Sequence, residues 1–323
     1  MLKSVMKQLL AIAVFVIASS CSPAWAATVV WPATPIPDIE TAHAPNAEDF
    51  NGRFYVATVS NTFPEDSRFQ ISSTPLDVAS PTWTTQLLVP PSDPDTSLAI
   101  KVWNSRLWLA YRAQNALIYV TSSRNGSTWE AWKSIPGSDH DELGRGAVSL
   151  KGIGARLYLA ARSIDGGVEL TWRTSGGSWR SFTTVPGSAT KYRPALTQFG
   201  DRLTLGIVGL DGQVYINRSS NGTIWGSWIH APALGLGGEN GTTPLVASAG
   251  PGLTVYRGEL YVGVRDSRQI ATFDGSEWSA WLPGPPFGPM ISGEPSLTTA
   301  DGDLFLTSQD WDSGTVRVER VRH

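Results

Sequence analysis

Three arginines recur at one place in a repeated strand, and they are the residues of this chain best suited to hold a ligand. Arg112, Arg162 and Arg265 each stand five residues after the leucine of a short apolar run: RLWLAYR, RLYLAAR and ELYVGVR. The same place holds Val59, Val208 and Gln309 in three further runs. A guanidinium offers a rigid fork of donors that can bridge adjacent sugar hydroxyls, while an indole covers the apolar C–H face of the ring. Indoles are available: Trp132, Trp228 and Trp281 each close a W-x-x-W segment. The same arginines can also stack on a neighbouring tryptophan or pair with a carboxylate to hold the packing together. The residues alone leave both uses open.

Catalytic patterns are scarce. The four histidines are His43, His140, His230 and His323, and none belongs to an HExxH or H-x-H pattern. The acidic stretch Asp139–Glu142 (DHDE) reads as a solvated turn between units rather than a metal site. No G-x-S-x-G or P-loop pattern occurs. Carboxylates are too dispersed for a glycosidase pair to be chosen from sequence. No catalytic residue, metal ligand or cofactor is therefore assigned.

The elements that must position these side chains are repeated. SSRNGSTWEAW, SSNGTIWGSW and ATFDGSEWSAW carry a polar turn into a pair of tryptophans. RTSGGSWRSF is a looser copy with Trp179 and Phe182, and VASPTWTTQL keeps only Trp83. From Trp83 the spacings to Trp129, Trp179, Trp225 and Trp278 are 46, 50, 46 and 53 residues. The apolar strand occurs six times, in GRFYVATV, SRLWLAYR, ARLYLAAR, DRLTLGIV, GELYVGVR and GDLFLTSQ. Four short strands per unit match a propeller blade, and such units are stable only when stacked. The apolar runs are expected as inner strands and the W-x-x-W segments as outermost strands.

The last unit stops after its third strand, whereas TVVWPATPIPDIE near the start resembles an outer strand without a blade before it. Joining the two gives an all-β, six-bladed β-propeller with no open edge. Seven blades would need a unit that the sequence does not contain. The first tryptophan of each pair is expected to be structural; the second is open between packing and recognition.

Residues 1–26 read as a secretion signal, with Lys3 and Lys7 before the apolar run LLAIAVFVIA and Ala24-Trp25-Ala26 at the cleavage site. The expected organisation is thus a signal over 1–26 and one propeller over 27–323. The run is too short for a comfortable membrane span. Location outside the cytoplasm, secreted or periplasmic, follows; the alternative is a lipoprotein anchored through Cys21. Cys21 is the only cysteine, so disulfides and thiol chemistry drop out of the mature chain. Removing Lys3 and Lys7 takes the formal charge from −3 to −5, which disfavours nucleic-acid binding.

SSRNGSTW also resembles the Asp-box of sialidases, S-x-D-x-G-x-T-W, through Ser122, Gly126, Thr128 and Trp129, with Arg124 in the aspartate's place. In that family the box is a structural turn remote from catalysis. A sialidase would further need an arginine triad, a Tyr–Glu pair and an aspartic acid. Its Arg-Ile-Pro signature is missing; the nearest text is Pro35-Ile36-Pro37.

Across the whole predicted mature chain the units resemble PLL-type bacterial β-propeller lectins. The shared order is an apolar strand ending in Arg, a turn rich in Asp, Asn and Gly, an aromatic strand, and a DGxxWxxW turn; RLYLAARSIDGGVELTWRTSGGSWRSFTTVPG follows it. The resemblance implies a secreted, non-enzymatic lectin that binds glycans, fucosylated ones among them, at shallow sites between blades. Arg112, Arg162, Arg265, Trp132, Trp228 and Trp281 are the positions carried over as ligand-binding. Two departures stand out: six blades where these lectins usually have seven, and arginine in only three units. The alternatives are a diverged sialidase or other glycoside hydrolase, and a protein-interaction scaffold.

Overall fold

A computed structural model describes residues 28–322 apart from 42, 61–67, 140–145, 238–242, 266–268, 284–290 and 311. The predicted signal and the segment 140–142 of the DHDE stretch lie outside the described residues.

Six four-stranded antiparallel sheets form a six-bladed propeller. Blade 1 comprises Asn46–Phe50, Arg53–Val59, Phe69–Pro75 and Thr84–Leu88. Blade 2 comprises Ala99–Trp103, Arg106–Arg112, Ile118–Ser123 and Lys133–Ser134. Blade 3 is Ser149–Ile153, Arg156–Arg162, Val168–Thr174 and Thr183–Thr184. Blade 4 is Ala195–Phe199, Arg202–Val208, Val214–Ser219 and Ile229–His230. Blade 5 is Gly252–Tyr256, Glu259–Val264, Gln269–Phe273 and Leu282–Pro283. Blade 6 takes three strands from the C-terminal part, Ile291–Ala300, Asp303–Asp310 and Thr315–Arg322. Its fourth is Thr28–Glu40, which pairs antiparallel with Thr315–Arg322 and closes the ring as the sequence led us to expect. A small ribbon, Leu236–Gly237 with Thr243–Pro244, lies between blades 4 and 5 in the chain.

The apolar runs occupy the second strand of each blade. RFYVATV and RLWLAYR are buried at nearly every residue, because both faces of that strand are covered by neighbouring blades. The innermost strands are more polar, as in NAEDF and SLKGI, since they border the central channel. Tight hairpins join the two. Asn51-Gly52 has φ of 51° and 74°, and Asp301-Gly302 has 49° and 74°, the doubly positive geometry whose twist suits adjacent antiparallel strands.

The W-x-x-W segments are not the outermost strands. Trp129, Trp225 and Trp278 each make one isolated bridge to the end of the third strand. The ladder resumes only past the second tryptophan, as at Lys133–Ser134. The polar turn between is held by side chains. Ser123 Oγ accepts from Gly126 N at 2.8 Å and donates to Thr128 O at 2.7 Å, while Asn125 Oδ1 accepts from Ser127 N and Thr128 N at 3.0 and 2.8 Å. Ser219 and Asn221 repeat this arrangement. The working frame is thus Ser-x-Asn-Gly. Asn125 does the aspartate's work, Arg124 points elsewhere, and the box sits one residue from where its consensus placed it.

Apolar clusters occupy all six blade–blade interfaces, and together they are the core. Each tryptophan pair packs towards the preceding blade: Trp129 and Trp132 with blade 1, Trp225 and Trp228 with blade 3, Trp278 and Trp281 with blade 4. Closure has its own lock. Arg320, buried between Trp31 and Phe305, bonds Asp303 at 2.6 Å and the Leu76 carbonyl of blade 1 at 2.6 Å. Among the described residues no helix is long and apolar enough to cross a membrane.

Candidate functional site at the propeller axis

The chain enters each innermost strand at the same end of the channel. Counting two residues back from the first paired residue of blades 1, 2, 3 and 4 gives Ala44, Ser97, Ala147 and Arg193; in blade 6 Glu294 stands two residues before Ser296, where regular pairing resumes after a bulge. Blade 5 brings Ser248 and Ala249 to the same level. All six blades therefore converge on one cavity of about 310 Å³ at the axis. Three arginines line it. Arg162 and Arg265 come from the ends of second strands, and Arg193 from the entry to blade 4. His43, Lys191, Tyr192 and Glu294 complete its polar wall.

Arg193 decides the shape. In a ring of six, blade 4 faces blade 1, and Arg193 Nη1 reaches across the channel to Asn46 Oδ1 of blade 1 at 2.7 Å. Its Nε lies 3.1 Å from Glu294 Oε2 of blade 6. The side chain is buried, so this bar forms a floor beneath the cavity. Gly250 makes room for it: a Cβ there would meet the Arg193 carbonyl oxygen at 2.4 Å and Glu294 Oε1 at 3.1 Å. Arg265 is held by a hydrogen bond from Nη2 to Ser248 Oγ.

Burial holds the His43 imidazole below its ordinary value, an effect that Asp95 and Glu294 partly offset. It is consequently neutral at physiological pH. Deeper in the channel Lys101 pairs with Glu48 and donates to the Ala47 carbonyl. Lys151 lies near both, and burial pulls its ammonium down from its usual value. Among the described residues no three His, Cys, Asp or Glu side chains gather as a metal site would require.

Two of the three recurring arginines thus meet at the axis rather than in a cleft between blades. Arg112 does not join them; it is 3% exposed at the end of its strand, with its carbonyl accepting from Asp95 N at 3.0 Å. The three tryptophans lie at blade interfaces. Trp132 packs edge-on against Tyr111 at 5.3 Å and tilted against Phe69 at 5.5 Å. Trp228 Nε1 donates to the Pro186 carbonyl at 3.0 Å and Trp281 Nε1 to Pro232 at 2.6 Å, each onto the preceding blade's exit segment. Sequence reading missed Arg193, Glu294, Tyr192 and His43. The available signal was position: His43, Tyr192 and Arg193 stand just ahead of an innermost strand, and Glu294 at the bulge within one, all outside the apolar runs.

Fold and site define a closed six-bladed propeller with a polar, arginine-lined axial cavity. No family model matches the sequence, and no curated relative was found. Solved structures share the fold. The Penicillium chrysogenum α-L-arabinanase complexed with arabinobiose superposes with a TM-score of 0.62 at 14% identity, over 91% of this chain and 97% of that one. A Fusarium graminearum α-L-arabinofuranosidase in complex with an iminosugar inhibitor gives 0.61 at 14% identity, over 92% and 97%. The Trypanosoma rangeli sialidase in complex with sialic acid gives 0.56 at 13% identity, over 92% of this chain and 59% of the sialidase. At such identities the likeness is one of fold.

Proposed function

We propose that this is a carbohydrate-binding propeller that holds an acidic sugar in its axial cavity without turning it over. The observation that carries this is the charge of the wall: Arg162, Arg193, Arg265 and Lys191 against one described carboxylate, Glu294, which Arg193 already engages. Guanidinium groups bind a carboxylate through paired, charge-assisted hydrogen bonds, and a neutral fucosylated glycan has no group that uses this excess. The sugars named with two of the fold neighbours, arabinobiose and sialic acid, make a saccharide the natural ligand class to test. Glycosidases use two carboxyl groups flanking the bond, and only one is described at this wall. We read residues 1–26 as a signal, which puts the site of action outside the cytoplasm as part of the same proposal, with a membrane surface, through Cys21, as the alternative.

Hydrolysis of a sialidase type is the second reading. Three arginines, a tyrosine and a glutamate, groups such an enzyme would need, line the same cavity. One experiment addresses both: a glycan array containing sialylated, uronate-bearing and fucosylated glycans, run with the purified protein alongside fluorogenic glycosides of the same sugars. Acidic glycans retained and lost in Arg162→Ala and Arg265→Ala, with no turnover, are the expected result. Turnover abolished by Glu294→Gln would establish the hydrolase instead. An array with only fucosylated hits would overturn both.

A further inference from the structure

The interface between blades 2 and 3 holds a second site. In blades 2 and 4 the serine that organises the polar turn, Ser123 or Ser219, is paired with the leucine of the second strand, Leu107 or Leu203. In blade 3 the residue paired with the equivalent Leu157 is Arg173. A structural serine has been replaced by a guanidinium. Its charge sits 5.2 Å from the ring centre of Trp108 in blade 2 and 5.9 Å from that of Trp179 in its own blade. Cation–π contact on two sides orders the side chain before any ligand arrives.

The groove that results has a volume of about 300 Å³, and its charged lining is Arg106, Arg124, Lys133 and Arg173 against Glu130. Glu130 is already taken: Arg106 Nη1 lies 2.5 Å from its Oε1. Among the described residues no side-chain hydrogen bond or close ion pair engages Arg124 or Lys133, and the hydrogen bond of Arg173 is a long one, 3.5 Å from Nε to the Thr174 carbonyl; Glu130 acts on Lys133 and Arg173 only as a neighbouring charge. Three cations without a described ion-pair partner converge on one groove of a chain whose formal charge is −3.

We propose that this groove binds the oxyanion groups of an acidic polysaccharide, sulfate esters or carboxylates, with Arg173 as the principal donor and Arg124 and Lys133 at the rim. A fork of donors fixed over an indole suits a planar or tetrahedral oxyanion, and the rim cations suit the next charge along a chain. The site is separate from the axial cavity, and substitutions at either leave the other intact.

Titration calorimetry of the purified protein with a heparin-derived tetrasaccharide, its desulfated counterpart and inorganic sulfate tests it. The tetrasaccharide is expected to bind, with affinity falling on the order of tenfold or more in Arg173→Ser and unchanged in Arg162→Ala. Arg173→Ser installs the residue that blades 2 and 4 carry, so its turn has a working precedent. If that variant nevertheless fails to fold, the double change Arg124→Ser with Lys133→Ser leaves the turn untouched and should weaken binding several-fold. Binding confined to the sulfated sugar assigns the oxyanion as sulfate; binding of both assigns carboxylate, and either supports the site. No binding of either oligosaccharide, or binding unchanged in Arg173→Ser, overturns it.

Discussion

Between blades 1 and 2 the Asn125-Gly126 turn lies directly on Tyr55, and Gln86 Nε2 ties the Gly126 carbonyl down at 2.9 Å. Between blades 3 and 4 the Asn221-Gly222 turn does the same on Tyr158, whose hydroxyl and Arg156 both donate to the Asn221 carbonyl, at 3.2 and 2.7 Å. Between blades 2 and 3 the matching turn is Ser175-Gly176. Its Gly176 has nothing within 4 Å of a Cβ, and Asn104 Nδ2 of blade 2 tethers the turn by donating to Ser175 Oγ at 2.8 Å. The three interfaces share strands, register and turn length. What separates them is whether the turn's serine and asparagine organise their own backbone. Where they do, the turn's glycine seats against an aromatic ring, and the cavity beside it between blades 1 and 2, about 420 Å³, has Arg53 as its one charged lining residue. Where arginine replaces serine, the turn loses that network, its glycine stands clear, and the cavity beside it is lined by four cations. Repeats make such a trade tolerable, since each blade contacts only its neighbours and the remaining interfaces keep their packing.

The contrast is sharpest at the glycines. Gly126 has φ of +76° and a Cβ there would come within 2.1 Å of the Tyr55 hydroxyl, whereas Gly176, at +71°, has nothing within 4 Å. Gly126→Ala should therefore cost about 3–4 kcal/mol by denaturant unfolding, the left-handed backbone and the overlap together. Gly176→Ala should cost about 1–2 kcal/mol, the backbone part alone. Equal losses would mean that the groove of blades 2 and 3 is not open in solution.

A pH profile asks whether charge in the open groove governs stability. A buried carboxyl that bears on such a profile lies elsewhere, at Glu319, on the face that blade 6 turns to blade 5 with its strand partner Leu306. Burial pushes its carboxyl up to about 7. Because the folded value is raised above the unfolded one, stability is fully present below about pH 4.5 and is lost as pH rises through 7. The loss amounts to about 3 kcal/mol. Glu319→Gln should flatten that limb in thermal melts from pH 5 to 8. Glu130 in the groove titrates in the opposite sense: the hydrogen bond from Arg106 holds it below its ordinary value, so its smaller contribution fades as the solution is acidified. A basic limb that survives Glu319→Gln would refute this assignment.

At the level of single hydrogen bonds, Asn221→Ala removes two backbone partners, at 2.8 Å each, and should cost about 1–2 kcal/mol. Ser175→Ala, in the open turn, should stay within about 0.5 kcal/mol. Arg173→Ser removes two cation–π contacts but restores the serine of blades 2 and 4, and should cost no more than about 1 kcal/mol in the same unfolding experiment. A large loss there would show that the arginine is a packing element rather than a binding one.

Much of the fold was legible along the chain because its causes are local. Asn-Gly turns, apolar runs buried on both faces and a repeat near 50 residues need only short-range chemistry to be recognised. Closure was legible too, because a lone outer strand at one end and a three-strand blade at the other are complementary deficits. The turn's exact frame was not: Ser122 and Ser123 are adjacent, and only the hydrogen bonds to Gly126 and Thr128 single out the second.

The axial site depended on the ring. Arg193 and Asn46 are 147 residues apart, and they meet only because blades 1 and 4 face each other across a channel. Arg112 and Arg162 occupy one position in the repeat, yet the first is buried and the second lines the cavity. Equivalent places in a repeat have equivalent backbones, so local sequence determines the blade. The reach of a long side chain depends on what the other five blades put in its way, and that only the closed ring decides.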